Sequence, residues 1–368
     1  MMIAQLGMHL KASHGGVDRY FDALNSTLIR QGVEATAYGF DDAARIGNLG
    51  AANRGLFQRW RSVRKKVVPK AGSLLASHFA LYALPAVFGR RWDSHVVHFH
   101  GPWAGESERE GDKNTSVQFK RLIETAVYRR ADRFIVLSKS FRDQLCHGYG
   151  VNEERVHVIP GGVETDKFFP VEKGFARQRL GLPIEGKILV CVRRLARRMG
   201  LEALIEAFGQ ATAKRADVNL MIGGQGPLRA ELEELTHRLG IADRVQFLGF
   251  IAETELPMTY AAADLSIVPS AALEGFGLIS LESLSCGTPV LVTPVGGLPD
   301  TVNGLTTDLV LTGTSVGHIA LGLNAWLDGS MKLPSREECR DHVMRNFTWD
   351  DIAGRVCDVY REAGWQSK

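Results

Sequence analysis

Ile188-Leu189-Val190-Cys191-Val192 leads through Arg193-Arg194-Leu195-Ala196-Arg197-Arg198-Met199-Gly200 into Leu201-Glu202-Ala203-Leu204-Ile205-Glu206-Ala207-Phe208, and this passage decides the fold. Its first residues form a short continuous apolar run, as a buried strand does; its last place apolar residues at three- and four-residue spacing, as a helix does. The same unit recurs along the chain. Apolar runs predict strands over 220–223, 245–248, 265–268 and 290–293 downstream, and over 3–6, 33–40, 95–99, 134–137 and 156–159 upstream. Amphipathic stretches separate them; residues 17–30 put Tyr20, Phe21, Leu24, Leu28 and Ile29 near one face and stop at Gly32. Such alternation predicts parallel sheets wrapped by helices. The series breaks at Pro160-Gly161-Gly162 and a charged segment reaching Lys173, then restarts. Two successive series imply an α/β protein of two Rossmann-like domains, 1–168 and 169–348, and 368 residues suffice for a core in each.

Composition narrows the class. With 45% hydrophobic and 23% charged residues the chain is neither disordered nor collagen-like. Against 41 acidic residues stand 44 Lys plus Arg, an excess too small to argue for nucleic acid. Five cysteines, an odd number with no C-x-x-C spacing, fit reduced thiols in a cytoplasmic protein. The N-terminal residues lack a basic flank and include His9, a poor signal peptide, and no apolar run approaches the roughly 18–20 residues of a membrane span. The expected location is the cytoplasm. Residues 54–70 depart from the average: Arg54, Arg59, Arg61, Arg64, Lys65, Lys66 and Lys70 are interleaved with Leu56, Phe57, Trp60, Val63, Val67 and Val68, without an acidic residue. A basic amphipathic helix of this kind suits an anionic membrane surface at its inner face, or is simply a solvated basic face.

Open α/β sheets bind ligands beyond the carboxyl ends of their strands, so the residues just after each strand carry the chemistry. Ser13-His14-Gly15-Gly16-Val17 follows the first strand and opens a helix, where free backbone N–H groups and the helix dipole suit a phosphate. In His98-Phe99-His100-Gly101-Pro102 the alternation puts His98 and His100 on one side. With no companion ligand cluster, a metal is not expected there; His98 reads as a core histidine and His100 as reaching into a cleft. Ala272-Leu273-Glu274-Gly275-Phe276-Gly277-Leu278-Ile279-Ser280-Leu281-Glu282 sets two carboxylates around a helix N-terminus whose Gly277 and Leu278 amides suit an anion. The arginines of 193–198 stand at a strand end, where guanidinium groups can take phosphate oxygens in pairs and neutralise growing charge. Three further patterns are decoys. Gly181 to Ile188 matches G-x4-G-K without the Ser/Thr, Gly223-Gly224-Gln225-Gly226 lacks a third glycine at dinucleotide spacing, and the sequons at Asn25, Asn114 and Asn346 have no secretory context. No D-x-D occurs, so a metal-bridged diphosphate has no obvious ligands.

Taken together, the Gly15-Gly16 loop, Val96-Val97-His98-Phe99-His100-Gly101, Ala131-Asp132-Arg133-Phe134-Ile135-Val136-Leu137-Ser138, Val158-Ile159-Pro160-Gly161-Gly162-Val163, Arg194-Leu195 and the E-x7-E motif from Glu274 to Glu282 resemble the family 4 (group 1) glycosyltransferases. The motif continues through Cys286-Gly287-Thr288-Pro289-Val290 and Pro294-Val295-Gly296-Gly297. The resemblance implies a GT-B fold, with an acceptor domain, a donor domain, a cleft between them that closes about 164–173, and a final helix over 349–363 crossing back to the first domain. It implies retaining transfer from a nucleotide-diphosphate sugar, such as a UDP or GDP sugar, to a glycan or lipid-linked acceptor in polysaccharide or glycolipid assembly, with no cofactor and no metal. Glu282 is then expected on the ribose hydroxyls, Glu274 on hydroxyls of the donor sugar, and His100 beside that sugar. Arg194 is expected on the diphosphate, assisted by Gly15, Gly16 and the amides of Phe276, Gly277 and Leu278. Family members usually carry Lys where this chain has Met199, and Arg198 is the expected replacement. Rival readings are a nucleotide-sugar 2-epimerase, a phosphorylase-like enzyme needing pyridoxal phosphate, and a non-catalytic nucleotide-sugar sensor.

Overall fold

Short β-branched and leucine-rich runs pair only with one another, because helices follow nearly every strand and force parallel crossovers. The computed structural model describes residues 2–10, 15–42, 46–109 and 111–365. The first sheet comprises β1 (Ile3–His9), β2 (Ala35–Phe40), β3 (Leu74–Ser77), β4 (Ser94–Phe99), β5 (Arg133–Val136) and β6 (Val156–Val158), in the order β2-β1-β3-β4-β5-β6. The second comprises β7 (Lys187–Val192), β8 (Val218–Gly223), β9 (Val245–Gly249), β10 (Leu265–Val268) and β11 (Val290–Val292), in the order β11-β10-β7-β8-β9. Every pairing is parallel. The chain divides into Met1–Gly162 with Trp349–Lys368, and Val163–Thr348.

In the first unit, alternation sends Ala4, Leu6, Leu75, Val97, Phe99, Phe134 and Val136 to one face. There they pack with Val63 of helix Leu56–Lys66, Tyr82 of helix Ala80–Val87 and Val127 of helix Asn114–Tyr128. The opposite face is covered by helix Gly16–Arg30 and the terminal helix Trp349–Glu362, which meet through the Tyr20 and Trp349 rings, 5.2 Å apart, and an Arg30–Asp350 ion pair. Gly7 on β1 makes room for Phe21, whose ring would lie 3.0 Å from a Cβ there. Gly354, mid-helix, meets nothing within 4 Å of a Cβ. Gly354→Ala is therefore expected to raise stability by about 0.5–1 kcal/mol, read as an increase in Tm.

The second unit buries Leu189, Cys191, Leu220, Ile222, Ile267 and Leu291 against helices Leu201–Ala211, Arg229–Arg238 and Val316–Asp328. The unit boundary falls at Gly162, ahead of the 168 expected from sequence. Residues 163–168 are tied to the second unit, since Val163 N donates to Phe347 O (2.9 Å) and the Phe168 carbonyl accepts from Ser285 Oγ and Arg340 Nη1 (both 2.6 Å). All five cysteines are free thiols. Among the described residues no helix is long and apolar enough to cross a membrane.

β3 has no counterpart among the sequence-predicted strands, and Ile29, assigned to the apolar face of its helix, is 53% exposed. Every strand predicted from the sequence is present, with ends displaced by no more than three residues.

Candidate active site

Sheet order locates the sites before any side chain is considered. In the second sheet the chain runs from β7 outward to β9, then returns to place β10 on the other side of β7, so the crevice past β7 and β10 is a topological switch point. The loops leaving these two strands meet there. Ala271 N donates to Arg198 O (2.9 Å), and Gly200, at φ 74°, brings its backbone so close to Pro269 that a Cβ would sit 1.9 Å from the Pro269 carbonyl oxygen.

Across this seam Arg193 Nη2 donates to Glu274 Oε2 (2.5 Å) and to Ser270 Oγ (2.7 Å), and Ser270 Oγ donates to Glu274 Oε2 (3.0 Å). The Arg193 and Glu274 side chains are only 7% and 14% exposed. Burial raises the Glu274 pKa, but the charge and hydrogen bond of Arg193, with Ser270 and the charge of Arg198, outweigh it and hold the carboxyl below its ordinary range. A depressed carboxyl stabilises the fold above its unfolded pKa, and this contribution disappears as pH falls through the folded value. The Tm advantage of wild type over Glu274→Gln is accordingly expected to be full at neutral pH and to shrink in the acid range.

The loop carrying Glu274 is held in an unusual shape. Leu273 is the only non-glycine residue with positive φ (49°) among the described residues, and its carbonyl accepts from Arg198 Nη1 (3.2 Å). Gly296, at φ 59°, lies under Glu274: a Cβ would stand 1.7 Å from the Glu274 carbonyl oxygen, which also accepts from Gly297 N (3.1 Å). Beyond the loop, Gly277 (φ 88°) starts helix Leu278–Ser285 without a side-chain cap and with no acidic residue in its first turn. Ser280 Oγ and Arg193 Nε are buried and have no hydrogen-bond partner among the described residues. These groups are donors awaiting an acceptor, as an anion site requires.

The other predicted residues fall as follows. Glu282 is buried one helix face away and accepts from Tyr260 Oη (3.1 Å). The Phe276 ring is buried against Phe347, so only its backbone is available to a ligand. Arg194 is exposed. Arg198 reaches the Leu273 carbonyl, whereas the guanidinium against Met199 Sδ belongs to Arg193. The glycine loop at 223–226, a decoy in sequence, is a backbone buttress: Leu195 N donates to Gln225 O (2.9 Å), and a Cβ on Gly226 would lie 2.2 Å from Leu195 O.

In the first sheet the switch point lies past β1 and β3. Ser13 and His14 lie outside the described residues. Gly15 (φ 140°) and Gly16 open helix Gly16–Arg30, whose first turn already holds the buried carboxylate of Asp18, 3.0 Å from His9 Nδ1. His100 is half-buried after β4, with Tyr20 edge-on at 4.9 Å between centroids and His78 Nδ1 3.1 Å from its Nε2. His98 is fully interior, bonded to Tyr360 and Tyr20. The next residues are fixed by Glu124, which is buried and accepts from Trp103 N (2.8 Å), Ala104 N (3.2 Å), Tyr128 Oη (3.4 Å) and Tyr149 Oη (2.7 Å).

Sequence reasoning missed Arg193 as the ion-pair partner, along with Ser270, Tyr260, His78 and Gln5. The spacing of Ser270 and Glu274 after β10 was a usable signal for the first pair; nothing local marked the others.

Comparison with known proteins gives the family. Residues 172–343 match the family described as glycosyl transferases group 1, and residues 14–167 match glycosyltransferase family 4. The chain is 32% identical over 304 residues to a D-inositol 3-phosphate glycosyltransferase of Acidothermus cellulolyticus, covering 79% of this chain and 67% of that one. In fold it is similar to sucrose-phosphate synthase from Thermosynechococcus elongatus (TM-score 0.81, 24% identity, 98% of each chain). It is also similar to Anabaena HepE in complex with UDP and glucose (TM-score 0.79, 20% identity, 98% of this chain and 100% of that one).

Proposed function

Since the chain belongs to the group 1, family 4 glycosyltransferases and has their GT-B fold, we propose that it is a retaining enzyme that moves a sugar from a UDP or GDP sugar to a hydroxyl acceptor. The observation that carries this reading is the Arg193–Glu274–Ser270 cluster at the β7/β10 switch point, followed by an uncapped helix N-terminus and accompanied by the unpartnered Arg193 Nε and Ser280 Oγ.

As the anomeric carbon becomes oxocarbenium-like, negative charge grows on the departing diphosphate. Arg193, Arg194 and the amides of Phe276, Gly277 and Leu278 stabilise that charge with fixed dipoles and cations. Glu274, oriented by Arg193 and Ser270, receives hydroxyls of the donor sugar, and Glu282, oriented by Tyr260, receives the ribose. The acceptor hydroxyl attacks from the face the leaving group occupies: the bond from the anomeric carbon to the diphosphate oxygen breaks, the bond to the acceptor oxygen forms, and the hydroxyl proton goes to the leaving phosphate, which gives retention. The first unit supplies the acceptor site. The arginines do the work a metal does elsewhere, so a chelator is expected to leave the rate unchanged. Product NMR with a donor panel tests the reading: a retained anomeric configuration, with hydrolysis and transfer both lost in Glu274→Ala, is expected. An inverted product, a free epimerised sugar, or binding without turnover contradicts it.

A lipid-linked acceptor at an anionic membrane is the substrate class we favour. On helix Leu56–Lys66, Arg59 is taken up by Tyr82, and Arg64 and Lys66 by the Phe88 and Asn48 carbonyls (3.0 and 2.6 Å). Arg61 and Lys65 remain exposed beside Phe57, 79% exposed. Exposed cations flanking an aromatic ring suit a lipid headgroup layer. Sedimentation with anionic vesicles is expected at low salt and is lost as salt screens the contact; no sedimentation at low salt contradicts the assignment.

A further inference from the structure

The amino ends of β4 and β5 lie at the edge of the first sheet opposite its switch point, and beside them is a cavity of about 490 Å³ walled by Arg90, Arg91, Trp92, Asp93, Arg130 and Asp132. It belongs wholly to the first unit, and none of the residues assigned above to transfer lines it. The chain reaches it where helix Ala80–Val87 ends and Gly89, at φ 64°, turns the backbone toward β4.

The walls are fixed before any ligand arrives. Arg90 Nη1 donates to Val67 O (2.7 Å) and its Nη2 to Arg64 O. Arg130 Nη1 donates to Ala126 O (2.7 Å), and its guanidinium stands 5.3 Å from the centre of the Phe88 ring. Trp92 Nε1 donates to Ala86 O (3.0 Å), so the ring has only carbon left to offer the cavity. Asp93 Oδ2 accepts from Gly72 N (2.5 Å) and Asp132 Oδ2 from His95 N (2.7 Å); the second oxygen of each carboxylate makes no hydrogen bond among the described residues.

The arginines have no counter-charge of their own. Among the described residues none of Arg64, Arg90, Arg91 and Arg130 is in an ion pair, and Arg91 bonds nothing. Burial and the charge of Arg64 lower the Arg90 pKa, as crowding of cations does. A concave site focuses such a field on an anion, and guanidinium groups take phosphate oxygens in pairs. Arg90 and Arg130 keep N–H groups beyond those given to carbonyls. Two carboxylates in the same wall repel a bare anion but accept from hydroxyls on its neutral part. Anion, hydroxyls and a carbon face together describe one kind of molecule.

We propose that this cavity binds a phosphorylated sugar or cyclic polyol away from the transfer site, with its arginines on the phosphate, Asp93 and Asp132 on hydroxyls, and Trp92 against the ring. The assignment is independent of the transfer mechanism. Such a group arrives free in solution or as the headgroup of a lipid, since Arg64 joins the cavity to helix Leu56–Lys66.

The indole 1H–15N resonance of Trp92 in the full chain, assigned by its disappearance in Trp92→Phe, reads the cavity directly. myo-Inositol 1-phosphate is expected to shift it. Inositol and inorganic phosphate are expected to bind at least about 10-fold more weakly, because each lacks one of the two sets of contacts. Arg91→Ser combined with Arg130→Gln is expected to weaken inositol phosphate binding at least about 10-fold and to leave transfer to a soluble acceptor unchanged. Both side chains are exposed; should the pair not fold, Arg91→Ser alone is read the same way. Vesicles identify the source: a lipid headgroup gives more sedimentation on phosphatidylinositol than on phosphatidylglycerol at equal charge, whereas equal sedimentation assigns the free ligand. Three results overturn the proposal: a Trp92 resonance unmoved by both soluble ligand and vesicles, inorganic phosphate as effective as the inositol phosphate, or a shift undiminished in the arginine variants. Lost transfer in those variants overturns the separation from the transfer site.

Discussion

Replacing Arg193 with Met is expected to lower kcat/KM for transfer by about 10²-fold or more, the scale of removing one donor from a charge-stabilising site. Adding Met199→Lys to that variant is expected to return most of the loss. The reason is positional: Arg193 Nη2 rests against Met199 Sδ, so under the proposed function a cation at 193 and one at 199 serve the same place. A lysine at 199 puts charge back at the same place from the other side of the loop. Arg193→Met also leaves Glu274 buried without its counter-charge, and burial alone raises that carboxyl. Steady-state kinetics on the single and double variants check the swap; a double variant no better than the single assigns the missing cation to another residue.

Gly296→Ala is expected to cost activity on a similar scale while leaving the fold cooperative. At φ 59° an L-residue is strained, and its Cβ would lie 1.7 Å from the Glu274 carbonyl oxygen, which cannot yield because Gly297 N also holds it. The loop must move outward, taking the Glu274 carboxylate away from Arg193 and Ser270. A misplacement of about 1 Å can lower a rate about 10²-fold. Nucleotide binding through Glu282 and Tyr260 is expected to persist, since that pair sits on helices outside the displaced loop. Transfer kinetics beside nucleotide titration separate the two effects, and a Gly296→Ala enzyme with wild-type turnover removes the loop from the mechanism.

Much of this was legible in the chain. The alternation of apolar runs and amphipathic stretches announced both sheets, and strand ends pointed to the loops after β4, β7 and β10. β3 escaped because Leu74–Ser77 runs through His78 and Phe79 straight into the apolar helix Ala80–Val87, so no glycine or proline separates a strand signal from a helix signal. Losing β3 also hid His78 and its contact with His100. Arg193 and Arg194 are adjacent and chemically identical; which one turns inward is decided by the packing of Gly224 and Gly226 against the 193–195 backbone, a tertiary fact with no local pattern. Asp18, in the first turn of the helix that follows the Gly15-Gly16 loop, pairs with His9, a contact that likewise has no local pattern.

Calorimetric titration of UDP and of GDP into the wild type and into Arg193→Met tests the central claim most directly. The wild type is expected to bind one of the two nucleotides, and the variant to bind it at least about 10-fold more weakly, as the loss of a charge-assisted phosphate contact demands. Equal affinity in both proteins, or no binding of either nucleotide by the wild type, contradicts the assignment of the Arg193–Glu274 seam to the sugar donor.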